Sequence, residues 1–476
     1  MKVLFGSTYF NLITTILYLL IFFGFGVILF EIFKTITKNK KMAVWIIIIP
    51  ILTLINIPPQ YSINNFTHED LAEVIAENPF QNKICSWFEN GECIQKFNVA
   101  WTHTYHIVLS TFKKFGSRWI QLFNAFCLFL TLFFGHLLAQ RAKKSLVWTV
   151  AFVTPVIFFY LSTPILGYLS LAIGIVTTYF LVKLLEGEQV HLKFALVSAL
   201  FIHIRPENFI YLLIMLIPIA DKLLKSLPAL GILTSSLILK RFEYFRGILD
   251  IGVTSSDWSL NLTYRLTLLT KLFLRNFLFF FNPLNFNLFF IILIFIGIFA
   301  TLKKKKFIPF IVLPLLAIAI YTTKIPGIYF SLYNPFSSKY LLNLIVASAP
   351  IIYFGMKNSE RKLIPLAFLM LIPFTTMQLI PSYEYLIYKN SVGVQEEIIQ
   401  FANNNSMTVY SIIPDVFKDA NRSIWIMDNF QFPSGQYLAI EPSSYHLDTH
   451  KNICEIAPLK AIGNLTLYNF TCISSI

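Results

Sequence analysis

Apolar runs of membrane-spanning length recur along almost the whole of this chain. Phe10–Phe33, Phe123–Gln140 and Leu284–Ala300 each reach or approach the ~20 residues that a helix needs to cross a ~30 Å hydrocarbon core. The overall balance agrees. Of 476 residues, 56% are hydrophobic and 13% charged, with a mean hydropathy of +0.66. No soluble domain sustains that over such a length, so the chain reads as a polytopic membrane protein. The first run is too long for a cleavable signal peptide, and no small-residue cleavage site follows it. No repeat of 20–50 residues is evident.

A formal charge of +14 would suit a nucleic-acid binder, but its distribution points elsewhere. Along the chain the first three apolar spans fall near 8–33, 43–58 and 118–139, and Lys34, Lys38, Lys40 and Lys41 separate the first two. Arg141, Lys143 and Lys144 follow the third, and further blocks stand at Lys303–Lys306 and at Lys357, Arg361 and Lys362. These are short loops, where basic residues mark the cytoplasmic side. With 184–193 and 221–227 they are assigned to the cytoplasm, and nucleic acid is not an expected partner. The resulting fold class is an all-α polytopic membrane protein of about twelve transmembrane helices with both termini outside. Four segments follow: N-terminal helices over 1–58, a large extracytoplasmic loop over 59–117, a transmembrane core over 118–381 and a tail over 382–476.

The tail differs in kind. Short alternating runs such as Met407–Ile413, Ile424–Met427 and Tyr437–Ile440, with a helix expected at Gln395–Asn403, describe a small external α/β domain. Glycosylation-type sequons at Asn65, Asn261, Asn404, Asn421, Asn464 and Asn469 all fall in segments assigned outside. So do two cysteine pairs, Cys85 with Cys93 in the loop and Cys454 with Cys472 in the tail. On an oxidising face they read as two disulfides, with four free thiols as the other reading.

Three constellations carry chemistry. Glu69, Asp70 and Glu73 lie within one helical turn, just beyond the second span. A carboxylate there suits a general base or a divalent-cation ligand. An ordinary helix start capped by Thr67 explains the same composition. Next, Arg205-Pro206-Glu207-Asn208 falls between two short apolar runs, where Pro206 breaks the helix. Arg205 can reach a phosphate while Glu207 orients it, or the stretch is a tight turn whose Arg snorkels to headgroups. Third, Lys240, Arg241, Arg246, Arg265, Lys271 and Arg275, spaced by Leu and Phe, suit an interfacial amphipathic helix facing lipid headgroups or a lipid-linked phosphate. His103 and His106 stand three apart but make a poor metal site alone. There is no phosphate-cradling glycine loop and no serine-nucleophile elbow.

In order and layout, residues 55–380 resemble the GT-C glycosyltransferases, in particular the family 39-like branch of protein O-mannosyltransferases and aminoarabinose transferases. Asp70-Leu71-Ala72-Glu73-Val74 is similar to that branch's Asp-Glu-Ala-x-Tyr motif, keeping the Asp and the Ala. His103-Thr104-Tyr105-His106, then Ile107–Phe112 and Lys113-Lys114-Phe115-Gly116, resemble the close of its first loop. Arg118–Asn124, the turn at Thr154-Pro155, Arg205-Pro206-Glu207 and Lys339-Tyr340-Leu341-Leu342 follow in the family's order.

The resemblance implies a GT-C fold and transfer of a sugar from a polyprenyl- or dolichyl-phosphate carrier to an acceptor at the outer face of the cell membrane. The acceptor class (protein, lipid or glycan) is left open. Asp70 would be the general base, with Glu69 as substitute. His103, Arg205, Lys339 and Tyr340 would meet the donor phosphate, supported by Glu73, Glu207, Lys271 and Arg275. A leaving phosphate needs cations close by and the nucleophile needs a basic carboxylate, so the residue types suit those roles. Two departures stand out. Leu161–Tyr168 lacks the second acid that would complete a divalent-cation site for Mg or Mn, which favours a metal-free mechanism. The chain also has one more N-terminal span than the pattern. Two other classes remain: a transporter or lipid flippase, which usually carries repeats and intramembrane acids, and a catalytically inactive GT-C-like protein.

Overall fold

The computed structural model describes residues 2–54, 71–80, 83–98, 103–116, 118–153, 166–251, 277, 288–324, 341–360, 363, 396–411, 419–425, 435–440, 454–462 and 465–472. These form two compact units. One comprises 1–58, 75–80 and 100–380; the other comprises 59–74, 81–99 and 381–476.

The first unit is helical. Helices α1 (Lys2–Lys38) and α2 (Val44–Leu54) open it, and α3 covers 71–77 at the boundary. Then come α4 (His103–Phe112), α5 (Trp119–Arg141), α6 (Leu166–Leu185), α7 (His191–Ile204) and α8 (Pro206–Leu216). Helices α9 (Leu227–Ile251), α10 (Leu288–Leu302), α11 (Pro309–Lys324) and α12 (Leu341–Asn358) complete it. Among the described residues, Asn11–Lys38, Trp119–Arg141 and Leu166–Leu185 are long and apolar enough to cross a membrane. Helix α6 is buried along almost its whole length, whereas most of the apolar stretch of α1 is exposed. Hydrocarbon is the solvent such a surface requires.

Two expectations change. Within the stretch 118–381, read from the sequence as transmembrane α-helices, Leu146–Phe152 is a 3₁₀ helix. Its buried Trp148 packs against Phe289, and the Phe152 ring lies on Gly135 of α5. Lys240, read from the sequence as facing headgroups or a phosphate, is instead buried, and α9 continues through it to Ile251. Apolar periodicity stops at that point, but helical hydrogen bonding does not.

Helix α12 is the hub. A Cβ on Gly355 would overlap the Leu293 carbonyl of α10, and one on Gly297 the Ile351 carbonyl of α12, so those backbones touch. Small residues at such crossings let packing replace the missing hydrophobic force between membrane helices. Gly174 of α6 receives Val346 of α12 in the same way.

One end of this unit is densely charged. Arg141 pairs with Glu186 and Glu188, Lys183 and Lys193 pair with Glu31, Lys357 with Glu186 and Lys306 with Asp221. Lys222 donates to the Leu184 and Leu185 carbonyls and Lys144 to that of Ser359. The loops assigned to one membrane face from their basic residues therefore do meet at one end. For Glu186, burial alone would raise the carboxyl pKa. Hydrogen bonds from Tyr353 and Arg141, and the charges of Arg141 and Lys357, outweigh burial and hold it below the usual carboxylate range.

The second unit is built on a seven-stranded mixed sheet in the order β2-β1-β4-β3-β5-β7-β6. Strands β1 (Lys83–Glu89) and β2 (Glu92–Asn98) come from the first loop. Strands β3 (Thr408–Ser411), β4 (Arg422–Trp425), β5 (Gly435–Ile440), β6 (Cys454–Ile462) and β7 (Leu465–Cys472) come from the tail. β3 runs parallel to β4 and β5, and the remaining pairs are antiparallel. The β1–β2 hairpin turns on Asn90-Gly91, both at positive φ, the dipeptide that a two-residue hairpin turn favours. Residues 396–404 form α13. Its Ile398 and Ala402 pack with Met407, Val409, Ala420, Leu438 and Leu467 into the core of this unit.

Candidate functional site

The helix break at Arg205 builds the site. Pro206 removes a backbone donor and disfavours the helical region for the residue before it, so α7 must stop. Arg205 accordingly is extended, at φ −140° and ψ 147°, and caps α8, with Pro206 in the first turn, where its missing N–H is harmless. Glu207 lies in that first turn, where the helix dipole favours an acid.

The broken ends are resealed by side chains. Asn208 Nδ2 donates to the Phe201 carbonyl at 2.8 Å, satisfying one of the last carbonyls of α7. Its Oδ1 accepts from Ser170 Oγ of α6 at 3.1 Å. The Arg205 guanidinium is held from two sides. Nη1 donates to Asn343 Oδ1 of α12 at 3.2 Å, and Nε lies 3.4 Å from Glu207 Oε2. The Arg205 side chain is 12% exposed and that of Glu207 4%. Asn343, Asn208, His203 and Tyr211 are all buried. A buried ion pair seldom adds net stability, since desolvation consumes much of the Coulomb gain. Its presence at a helix break between two apolar segments therefore asks for a chemical reason.

Helix lengths separate this cluster from the charged end. Ser170 is near the start of α6 and Glu186 just past its end, which at 1.5 Å per residue is about 24 Å. Asn343 and Lys357 are similarly placed at the two ends of α12. Arg205 and the lysine-rich loops thus occupy opposite ends of the bundle.

Of the residues singled out from the sequence, the structure brings Arg205 and Glu207 together. Glu73 is half-buried on α3, in the other unit. His103 is the first residue of α4, and His106, one turn on, is buried with its ring 5.1 Å from that of Tyr105. Glu69, Asp70, Lys271, Arg275, Lys339 and Tyr340 lie outside the described residues. Cys85 and Cys93 form a disulfide. Cys454 and Cys472 occupy directly opposed positions of β6 and β7. Among the described residues no three His, Cys, Asp or Glu side chains converge as a metal site would require.

Sequence reasoning missed Asn343, Ser170 and Tyr211, which are single polar residues inside apolar helices. Nor did it single out Glu31. That acid is buried on the apolar helix α1 and bonded to Tyr179 at 3.0 Å, Lys183 at 2.9 Å and Lys193 at 3.0 Å. An apolar groove of about 690 Å³ between α1 and α9, lined by Leu12, Ile16, Leu20, Gly231, Ile232 and Ser235 among others, contains no charged side chain.

No protein-family model matches the chain, and no curated protein does. Among solved structures, the chain is similar to ArnT from Cupriavidus metallidurans bound to undecaprenyl phosphate. The match has a TM-score of 0.47 and 9% identity, over 90% of this chain and 96% of that one. No role for any residue here follows from that likeness.

Proposed function

We propose that the protein is an integral membrane glycosyltransferase of GT-C type. It moves a sugar from a polyprenyl- or dolichyl-phosphate carrier to an acceptor at the extracytoplasmic face. The observation that carries this reading is the Arg205 guanidinium, buried at a proline-broken helix junction and aimed by Asn343 and Glu207. A planar fork of fixed direction in a low-dielectric site suits a phosphate, whose leaving charge it neutralises. The cluster also lies at the bundle end opposite the lysine-rich loops, which the positive-inside rule puts in the cytoplasm. Nucleotide-linked donors are absent outside the cell, so a lipid-carried donor follows.

In this reading Asp70 removes the proton from the acceptor hydroxyl, with Glu69 as substitute and Glu73 in support. His103, Lys339 and Tyr340 join Arg205 around the phosphate, and Lys339 and Tyr340 directly precede the helix that carries Asn343. Lys271 and Arg275 add positive charge at the same face. Cys454 and Cys472 form the second disulfide.

A transporter or flippase would draw on Glu31, an acid buried on an apolar helix. Glu31 has three hydrogen-bonded partners at the charged end of the bundle. It therefore serves better as a clasp between helices than as a carrier of ions.

The test is sugar transfer by membranes containing the intact chain, Asp70→Asn or Arg205→Lys, supplied with a panel of polyprenyl-phosphate sugars. Transfer by the intact chain that is lost in both variants supports the reading. Absence of transfer by folded intact chain moves the weight to the transporter or the inactive GT-C-like protein. Undiminished transfer by Asp70→Asn alone keeps the class and assigns the base to Glu69.

A further inference from the structure

Tyr211 stands one turn beyond Glu207 on α8, so the two side chains share a face. The residue is fully buried, and its hydroxyl has no hydrogen-bond partner among the described residues. Glu207 and Arg205 are the charged groups that bear on that hydroxyl. A buried O–H without a partner has given up its bond to water and gained none in return, and each such group calls for an explanation. A phenylalanine would fill the same space without that loss. The hydroxyl is therefore best explained by something that occupies the site for part of the catalytic cycle.

We propose that the Tyr211 hydroxyl donates a hydrogen bond to a phosphate oxygen of the ligand that Arg205 neutralises, which makes Tyr211 a binding residue of the donor-phosphate site. This rests on the reading of Arg205 as the phosphate-contacting cation. The chemistry is complementary: the two non-bridging oxygens of the sugar-bearing phosphodiester, and the three terminal oxygens of the monoester left after transfer, each carry more than one acceptor lone pair, so a guanidinium fork leaves acceptor capacity for a neutral donor. Asn343 and Glu207 then act as positioning residues, since they direct Arg205 rather than meet the ligand.

Because the hydroxyl bonds no described residue, Tyr211→Phe should remove a ligand contact and leave the fold intact. Binding of undecaprenyl phosphate, and separately of inorganic phosphate, is measured on the detergent-solubilised full chain, for wild type, Tyr211→Phe and Ser198→Ala. Ser198 carries another buried hydroxyl without a partner, placed on α7 before the helix break. The expected result is a loss of about tenfold to hundredfold in Tyr211→Phe, the range for one hydrogen bond to a charged group. Ser198→Ala should bind as wild type does, and thermal unfolding of both variants should match or exceed wild type.

Loss of lipid-phosphate binding alone identifies the lipid carrier as the ligand. Loss with both ligands identifies a phosphate site of either source, and both results support the proposal. Unchanged affinity in Tyr211→Phe overturns it, as does a fall in its thermal stability, which would show that the hydroxyl is paired within the fold. Failure of wild type to bind either ligand overturns it too. Since no sugar is needed, phosphate binding without sugar transfer would sink the transferase reading and leave this one standing.

Discussion

Replacing Glu31 with Gln tests whether the charged end of the bundle is dry. The carboxylate accepts from Tyr179, Lys183 and Lys193 at 3.0, 2.9 and 3.0 Å, and its side chain is 4% exposed. Removing one member of a buried pair costs about 3–5 kcal/mol, because the remaining charge stays desolvated. Two features lower the figure here. Lys183 keeps Glu188 at 3.1 Å, and Lys193, 28% exposed and 4.8 Å from the Phe30 ring, can turn to water. Gln also preserves the shape and can still accept from Tyr179. The net expectation is about 2–3 kcal/mol of lost stability for Glu31→Gln. Pairing it with Lys183→Met should recover 1 kcal/mol or more, since both ends of the ion pair are then neutral. The assay is unfolding of the detergent-solubilised chain, followed by tryptophan fluorescence as a full double-mutant cycle. A Glu31→Gln effect under about 0.5 kcal/mol with no coupling to Lys183 would refute the reasoning, because the charges would then be solvated.

Other outcomes follow from the same structure. Glu186 has a carboxyl held below its ordinary range, so its stabilisation is complete above the unfolded-state pKa and disappears as pH falls through the folded value. The difference in unfolding midpoint between wild type and Glu186→Gln should therefore be level near neutrality and close in acid; a gap that widens on acidification contradicts it. Gly355→Ala, which drives a methyl into the Leu293 carbonyl, should destabilise by about 1–3 kcal/mol. Gly231→Ala meets nothing within 4 Å and should be neutral or slightly stabilising, as thermal unfolding would show. Reducing Cys85–Cys93, which closes a loop of 8 residues, should cost the second unit about 2–3 kcal/mol, measured by limited proteolysis of the Cys85→Ser/Cys93→Ser form. Intact-mass analysis under non-reducing conditions should find Cys454 joined to Cys472, and free thiols at both would exclude the second bridge.

What was legible in the sequence was what short-range physics controls. Long apolar runs became α1, α5 and α6, and Pro206 marked the break between α7 and α8 because it acts on its own neighbours. The short alternating runs of the tail overlap β3 and β5, and the run at Ile424 shares only its first two residues with β4. Long-range pairing stayed hidden. Nothing near Lys83–Asn98 announces that β1 will pair with Arg422–Trp425, since strand partners are selected by fold and not by neighbours. Asn343 and Tyr211 were equally silent: one polar side chain in an apolar helix carries no periodicity, and only the crossing of α12 with the α7–α8 junction gives Asn343 its partner.

The joint sheet has a consequence for how the protein is made. Glu89 of β1 and Arg422 of β4 form an ion pair across 333 residues of chain. At about 5–20 residues per second, β1 would wait roughly 20–60 s after synthesis before its neighbour exists. For that interval, while the intervening helices are being made, the hairpin offers an open strand edge to whatever else is nearby. The Asn-Gly turn and the Cys85–Cys93 bridge are local enough to form at once and to hold the hairpin in register meanwhile. A chain that terminates before the tail would keep that edge open permanently. Such products should be prone to aggregation and degradation even with the whole helical unit in place.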